Sequence, residues 1–256
     1  MAKTETQEVT INGTEIIFYP NSHRYKADGA WVPSVTTVLG LIDKSRQLLK
    51  WSENLTRDFL NQYLNIPLES NVIESAVTQY STIRDTAADI GHQIHEWIEK
   101  FVSAKMNNTD TPQVDSTMEQ AVINGIMAFL QWYNENEVIF LESERIVYSK
   151  EHNYIGTFDV LMKVNGINTL ADFKSGKGVY APFWYQLSAY KQAYQEEYPD
   201  SVIQQYMILH FDKETGDFQC LTKDVEEISV EHFNALLKLK TDIARLESKK
   251  KETANA

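Results

Sequence analysis

Residues 156–177 read G-T-F-D-V-L-M-K-V-N-G-I-N-T-L-A-D-F-K-S-G-K, and the fold turns on them. At the centre is Asn165-Gly166, a dipeptide favoured in two-residue type I′ hairpin turns because both positions must take positive φ. The flanking runs are rich in β-branched and aromatic residues, so they read as two antiparallel strands. Such a turn sets the register: Val164 pairs with Ile167, Met162 with Thr169 and Val160 with Ala171. One step further, Asp159 falls directly across from Asp172. Because strand residues alternate faces, Asp172 and Lys174 point one way and Phe173 is buried behind them.

Carboxylates in directly opposed positions sit about 5 Å apart at Cβ and repel one another. A hard divalent cation such as Mg²⁺, which takes carboxylate oxygens and keeps exchangeable waters, would offset that repulsion. Two acids and an ammonium on one face suit phosphodiester hydrolysis. The metal lowers the pKa of a bound water, and metal and lysine together stabilise charge on the phosphoryl oxygens. An isolated D-x-K is far more often an ordinary surface ion pair; the second acid across the hairpin is what favours a metal site.

Outward from the hairpin, V-I-F-L-E-S-E-R-I-V-Y-S (138–149) adds a strand before it, and a helix from about Pro182 to Tyr198 follows. The strands Q-Q-Y-M-I-L-H-F-D and D-F-Q-C-L-T-K-D-V flank a turn at Glu214-Thr215-Gly216, and a helix runs from Val230 to about Lys249 before a frayed, lysine-rich end. The first half differs in character. Residues 9–39 alternate β-prone runs with turn signals at Asn12-Gly13, Asn21-Ser22 and Asp28-Gly29, a small antiparallel meander that turns helical from about Ser34. Helices are expected over Ser45–Tyr63, Asn71–Lys105 and Thr117–Asn136, the last with Ile123, Ile126, Met127, Leu130 and Tyr133 as its buried stripe. With no repeat or linker, residues 1–256 read as a single domain: an extension (1–84), a core (85–228) and a C-terminal helix and tail (229–256). Trp31, Trp51 and Tyr63, with Lys44, Arg46 and Lys50, could form a stacking and phosphate-contact surface, although core aromatics beside a solvated basic face are the simpler account.

Composition narrows the classes. The single cysteine, Cys220, excludes an internal disulfide framework and a four-cysteine zinc or iron–sulfur site built by this chain alone. Neither a membrane-length apolar run nor an apolar signal core at the start is present, which predicts a soluble, cytoplasmic protein. A formal charge of -12 argues against a generally basic nucleic-acid grip, yet carboxylates gathered where a metal neutralises them would contribute to it. Any DNA affinity should then depend on metal.

The ordered set G-T-F-D (Gly156–Asp159), D-F-K-S-G-K (Asp172–Lys177) and Q-L-S-A-Y (Gln186–Tyr190) resembles the RecB-like branch of the PD-(D/E)XK nuclease superfamily. The likeness spans roughly residues 85–212, and H-R-Y-x-x-D-G-x-x-V-P-S-V-T-T-V-L (His23–Leu39) resembles the start of phage-encoded exonucleases of this group. The resemblance implies an α/β fold with a central mixed sheet flanked by helices, here preceded by the meander and helical region. Asp159, Asp172 and the main-chain carbonyl of Phe173 become metal ligands, and Lys174 the catalytic lysine. The branch's upstream helical histidine corresponds to His95, in I-G-H-Q-I-H-E-W-I-E, with Gly91 one turn before and Glu99 one turn after. Gln186 and Tyr190, at i and i+4, are implied on the substrate side, although Tyr190 also fits an aromatic core stripe. Glu144 is a secondary candidate, with Glu142 the alternative two residues earlier; Glu99 is another.

The implied cofactor is Mg²⁺ or Mn²⁺, one or two ions, without an iron–sulfur cluster, and the implied partner is DNA, with a recombination or single-strand-binding protein as a further one. A DNA exonuclease of recombination, repair or replication, bacterial or phage-encoded, is the leading expectation. A structure-selective endonuclease is the alternative, and a catalytically silent nuclease-fold binding module comes from another class. The P-loop pattern is absent, so no helicase motor is expected.

Overall fold

The computed structural model describes residues 6–176, 178–211 and 217–254, with side chains to residue 248. Asn165 and Gly166 take φ values of 49° and 86°, as the type I′ turn requires. The turn is also fastened sideways: Asn165 donates its N–H to the Glu137 carbonyl (2.8 Å), and its Oδ1 accepts from the Glu137 N–H (2.9 Å). It joins β6 (Tyr154–Val164) to β7 (Ile167–Lys174), paired from Val164↔Ile167 to Val160↔Ala171 in the register read from the sequence.

These strands belong to a five-stranded mixed sheet of order β5-β6-β7-β8-β9, with β5 at Val138–Ser149, β8 at Gln205–Phe211 and β9 at Phe218–Asp224. Only β7 and β8 run parallel. Their connection is helix α5 (Ala181–Glu197), started by Pro182 in its first turn, where a missing N–H costs nothing. The Glu214-Thr215-Gly216 turn between β8 and β9 lies outside the described residues, as does the chain end beyond residue 254.

The meander forms as a second sheet, β1 (Gln7–Ile11), β2 (Thr14–Tyr19), β3 (Arg24–Ala27) and β4 (Ala30–Val32). Asn12-Gly13 and Asp28-Gly29 make its turns with positive φ, whereas Asn21-Ser22 falls inside a single 3₁₀ turn. The helical stretch expected from Ser34 is a short α1 (Val35–Leu39), followed by α2 (Ser45–Asn61). Ser34 and Thr37 cap α1 reciprocally. Helix α3 spans Ser70–Asn107, α4 Gln120–Glu135 and α6 Glu231–Ala254. No helix among the described residues is long and apolar enough to cross a membrane.

Apolar packing covers both faces of the large sheet. On one, Ile94, Ile98 and Phe101 of α3 and Ile126 and Phe129 of α4 meet Val160, Met162, Ala171 and Phe173. On the other, α1, α5 and α6 meet Phe158, Leu161, Leu170 and Ile208. The meander's inner residues Ile16, Tyr25 and Val32 close over Ile146, Tyr148 and Ile155. Helix α2 has no buried residue.

Gly156 shows how tightly β6 meets α5. A Cβ there would lie 2.4 Å from Tyr190 Cε1 and 3.2 Å from Val35 Cγ2, and Tyr190 is itself buried and hydrogen-bonded. Gly156→Ala is therefore expected to lower unfolding stability by about 1–3 kcal/mol, the usual cost of overpacking. Urea denaturation checks this, and an unchanged midpoint would contradict the seating of Tyr190 on β6.

Candidate metal centre

The hairpin ladder stops at Val160↔Ala171, one step short of the two aspartates. Asp159 and Asp172 are not ladder partners, which corrects the register extrapolated from the turn. Asp159 turns its own side chain into the gap, where Oδ2 accepts the Phe173 N–H at 2.7 Å. A carboxylate thus substitutes for a strand neighbour, and the end of β7 keeps only β8 beside it, with Asp172↔Ile208 and Lys174↔His210. On the other flank, Glu144 of β5 has φ 49°, a left-handed value that is costly away from glycine. Backbone regularity gives way on both sides of Asp159.

Three elements meet at this opening. His95 of α3 places Nε2 3.0 Å from Asp159 Oδ2, its ring edge-on to Phe173. Glu144 completes a set: His95, Glu144 and Asp159 each offer a donor atom, all within 4.8 Å of one another. Beside them Lys174 Nζ contacts Asp172 Oδ2 at 2.5 Å and lies 4.9 Å from the Phe183 ring centroid. Asp172 is 1 % exposed, and its Oδ1 has no hydrogen-bond partner among the described residues. An uncompensated buried carboxylate oxygen is expensive. Asp172 lies outside the donor set; His95, Glu144 and Asp159 bring nitrogen and oxygen donors together, which fits a divalent cation of the Mg²⁺ or Mn²⁺ kind.

Electrostatics divide the groups. Burial opposes charge on His95, but Asp159, by charge and hydrogen bond, with Glu144 and Asp172 farther off, raises its pKa to about 9. Burial and the repulsion of Asp159 push Glu144 up to about 8, against the pull of His95. Asp159 resists its own burial through His95, Lys174 and the Phe173 amide, and stays below the ordinary carboxylate value. Burial raises Asp172 to about 6, with Lys174 pulling down and Asp159 pushing up. Lys174 is desolvated as well, yet the two aspartates hold its pKa above the normal lysine value.

The remaining candidates fall around this cluster. Glu99, one turn beyond His95, is exposed; its charge reaches Glu144, but it lies outside the donor set. Glu142 contacts the Tyr194 hydroxyl and Arg145, away from the cluster, so of the two acids on β5 it is Glu144 that the strand irregularity turns inward. Gln186 and Tyr190 are both buried and bonded to each other (2.8 Å), with Tyr190 in the core. Gln186 alone also reaches a cavity of about 540 Å³ lined in part by Thr36, Lys44 and Phe183. Phe173 contributes its amide N–H, to Asp159.

Two participants escaped sequence reading. His210, 3 % exposed beside Lys174, meets the Gly176 carbonyl with Nε2 at 2.5 Å and so ties down the segment leaving β7. A histidine inside the apolar run Q-Y-M-I-L-H-F was the available signal. Tyr25 reaches from the meander to Thr157 Oγ1 (2.9 Å), two residues before Asp159, a contact between distant segments that local pattern does not encode.

No protein-family model matches the chain, and no curated protein matches it in sequence. Among solved structures it is similar to an alkaline exonuclease (LHK-Exo) from Laribacter hongkongensis, with 12% identity over 62% of this chain and 84% of that one at a TM-score of 0.36. It is similar also to LHK-Exo in complex with dAMP, with 11% identity over 62% and 85% at 0.38. Scores this low carry no residue correspondence.

The raised values of His95 and Glu144 have a common consequence for stability. Both bind protons more tightly folded than unfolded. The His95 contribution is full below about 6.5 and lost as pH rises through about 9; that of Glu144 is full below about 4.5 and lost through about 8. The Tm of chelator-treated protein should therefore fall from pH 6.5 to 9. Saturating Mg²⁺, taking the place of those protons, should raise Tm more at pH 9 than at pH 6.5. Thermal melts at both pH values decide it, and an equal or smaller Mg²⁺ effect at pH 9 would count against the site.

Proposed function

We propose that this chain is a metal-dependent deoxyribonuclease of the RecB-like PD-(D/E)XK type that hydrolyses phosphodiester bonds, acting as an exonuclease. The observation that carries the reading is the convergence of His95, Glu144 and Asp159 within 4.8 Å, beside the ion pair of Lys174 with buried Asp172, at the opened end of one hairpin. His95, Glu144, Asp159 and Asp172 would hold the ion. Bound there, Mg²⁺ or Mn²⁺ supplies a Lewis acid for the phosphoryl oxygens and a water acidic enough to attack near neutral pH.

The chain's own groups set up the rest. Lys174 is kept protonated by Asp172 and Asp159, so Nζ acts as a fixed cation and hydrogen-bond donor towards the phosphoryl oxygens and the attacking water, not as the proton acceptor. Asp159 holds His95 on one side and the Phe173 amide on the other, which fixes the start of the D-x-K segment relative to α3. Burial of these groups strengthens each interaction over its value in water. In the reaction a water oxygen bonds to phosphorus, the P–O bond to the leaving nucleotide breaks, and a proton passes to the departing oxygen.

Support for DNA as substrate comes from the resemblance of the ordered motifs at Gly156–Asp159, Asp172–Lys177 and Gln186–Tyr190 to RecB-like nucleases; an endonuclease would share the same motifs and chemistry, and the digestion below separates the two. The presence of both Asp172 and Lys174, with the buried aspartate paired to a partly exposed lysine, favours catalysis over a silent binding module.

Digestion of end-labelled linear and closed circular DNA, single- and double-stranded, tests this with Mg²⁺ or Mn²⁺. Asp172→Asn, Lys174→Ala and Glu144→Gln are each expected to lower the rate about 10²- to 10³-fold, the scale for losing a group aimed at the transition state. Glu142→Gln should stay within a few-fold of the parent. Activity that survives Asp172→Asn and Lys174→Ala together rejects the site, and cleavage of closed circles rejects the exonuclease.

A further inference from the structure

The outer face of the N-terminal sheet carries a compact group of rings and cations. Register places Tyr19 opposite Arg24 and Lys26 opposite Trp31, and the alternation along β2 and β3 brings all four to one side. Trp31 is 49 % exposed. The Arg24 guanidinium lies 3.8 Å from the centroid of its ring and Lys26 Nζ lies 4.9 Å from it, while the Tyr19 ring sits 5.3 Å away. Among the described residues neither cation forms an ion pair with a carboxylate, in a chain of net charge -12. Their counter-charge is left to come from outside.

We propose that this face is a stacking platform for single-stranded DNA, the bases lying on Trp31 and Tyr19 and the phosphates meeting Arg24 and Lys26. The inference rests on the nuclease reading for its biological sense, though not for its test. Flat rings flanked by unpaired cations are what a sequence-tolerant single-strand site requires, since every base has a π-face and every linkage a charge. An anionic bilayer fits less well. Glu8 and Glu15 occupy the same face towards β1 and would repel a charged surface laid across it, whereas a strand can follow the β3–β4 edge alone. The reverse face leads to the metal centre, because Tyr25, between Arg24 and Lys26, hydrogen-bonds Thr157 beside Asp159. The platform is thus tied to the strand that carries Asp159. Of the surface expected from sequence, only Trp31 takes part; Trp51 packs against Tyr80 and Tyr63 against Phe59.

The test is fluorescence anisotropy of a labelled oligo(dT) strand in EDTA, so that cleavage does not intervene; the platform binds through its own rings and cations, so its affinity, unlike that expected from the sequence, needs no metal. Trp31→Ala should weaken binding at least about fivefold, Trp31→Tyr should restore most of it, and Arg24→Gln with Lys26→Gln should make the slope of log K against log salt shallower by about one unit or more. Each variant should keep the parent's Tm and its Mg²⁺-induced Tm shift. Unchanged affinity in Trp31→Ala overturns the platform, as does a parent that binds no strand at low salt. Loss of binding to phosphatidylserine vesicles, with DNA binding intact, overturns it in favour of a membrane surface. Failure of the nuclease reading shows separately, as intact binding without cleavage when Mg²⁺ is supplied.

Discussion

The carboxylate of Asp159 is the constraint around which the rest is arranged. One oxygen serves two partners, the imidazole of His95 on helix α3 and the amide of Phe173 on β7. The first bond pins a helix from the layer above the sheet, and the second parts two strands that the Asn165-Gly166 turn had brought into register. A charged group so placed is worth little as net stability, because desolvation offsets its attraction to His95. Breaking one side of such an arrangement is nonetheless destabilising by about 3–5 kcal/mol, since the remaining charge is left buried. Asp159 therefore specifies where the sheet opens more than it strengthens the fold.

Charge accounting around it shows why the opening is a place for a cation. Among the described residues the cations facing Asp159, Asp172 and Glu144 are His95 and Lys174, and the deficit is met by Glu144 keeping its proton to about pH 8. A neutral carboxyl held next to two carboxylates, on a backbone twisted to φ 49°, is a local conflict that the fold would resolve more cheaply with an uncharged residue. On the proposed reading a bound metal would reverse the balance: an ion would replace the protons of Glu144 and His95, and the left-handed backbone at Glu144 would aim a ligand.

The sequence was legible wherever one residue type fixes one backbone geometry. Asn165-Gly166 settled the turn and, through it, five paired positions; His95 was singled out by the resemblance and not by any spacing, and it lies on α3, whose Ile94, Ile98 and Phe101 meet β7. Alternation failed at Asp159 and Glu144, because a side chain bonding a neighbouring strand's amide and a left-handed residue within a strand are both breaks in the period that alternation assumes. The choice between Glu144 and Glu142 hung on that break. Gln186 and Tyr190 illustrate a different limit. Their i, i+4 spacing is the same whether the helix face looks into a groove or a core, and only packing of α5 on Gly156 puts them inside. Exposure of Trp31 was hidden for the same reason, since a tryptophan in a short strand is compatible with either face.

The net charge of -12 argues against a generally basic grip but not against a local one. Among the described residues Arg24 and Lys26 form no ion pair and are held on a separate sheet face by Trp31 and Tyr19. Cation–π contact orders two flexible side chains without consuming their charge, which an ion pair would do. On the proposed reading, a strand approaching such a surface would meet attraction at one edge and repulsion elsewhere, so that a net charge of -12 would confine it to one path instead of excluding it.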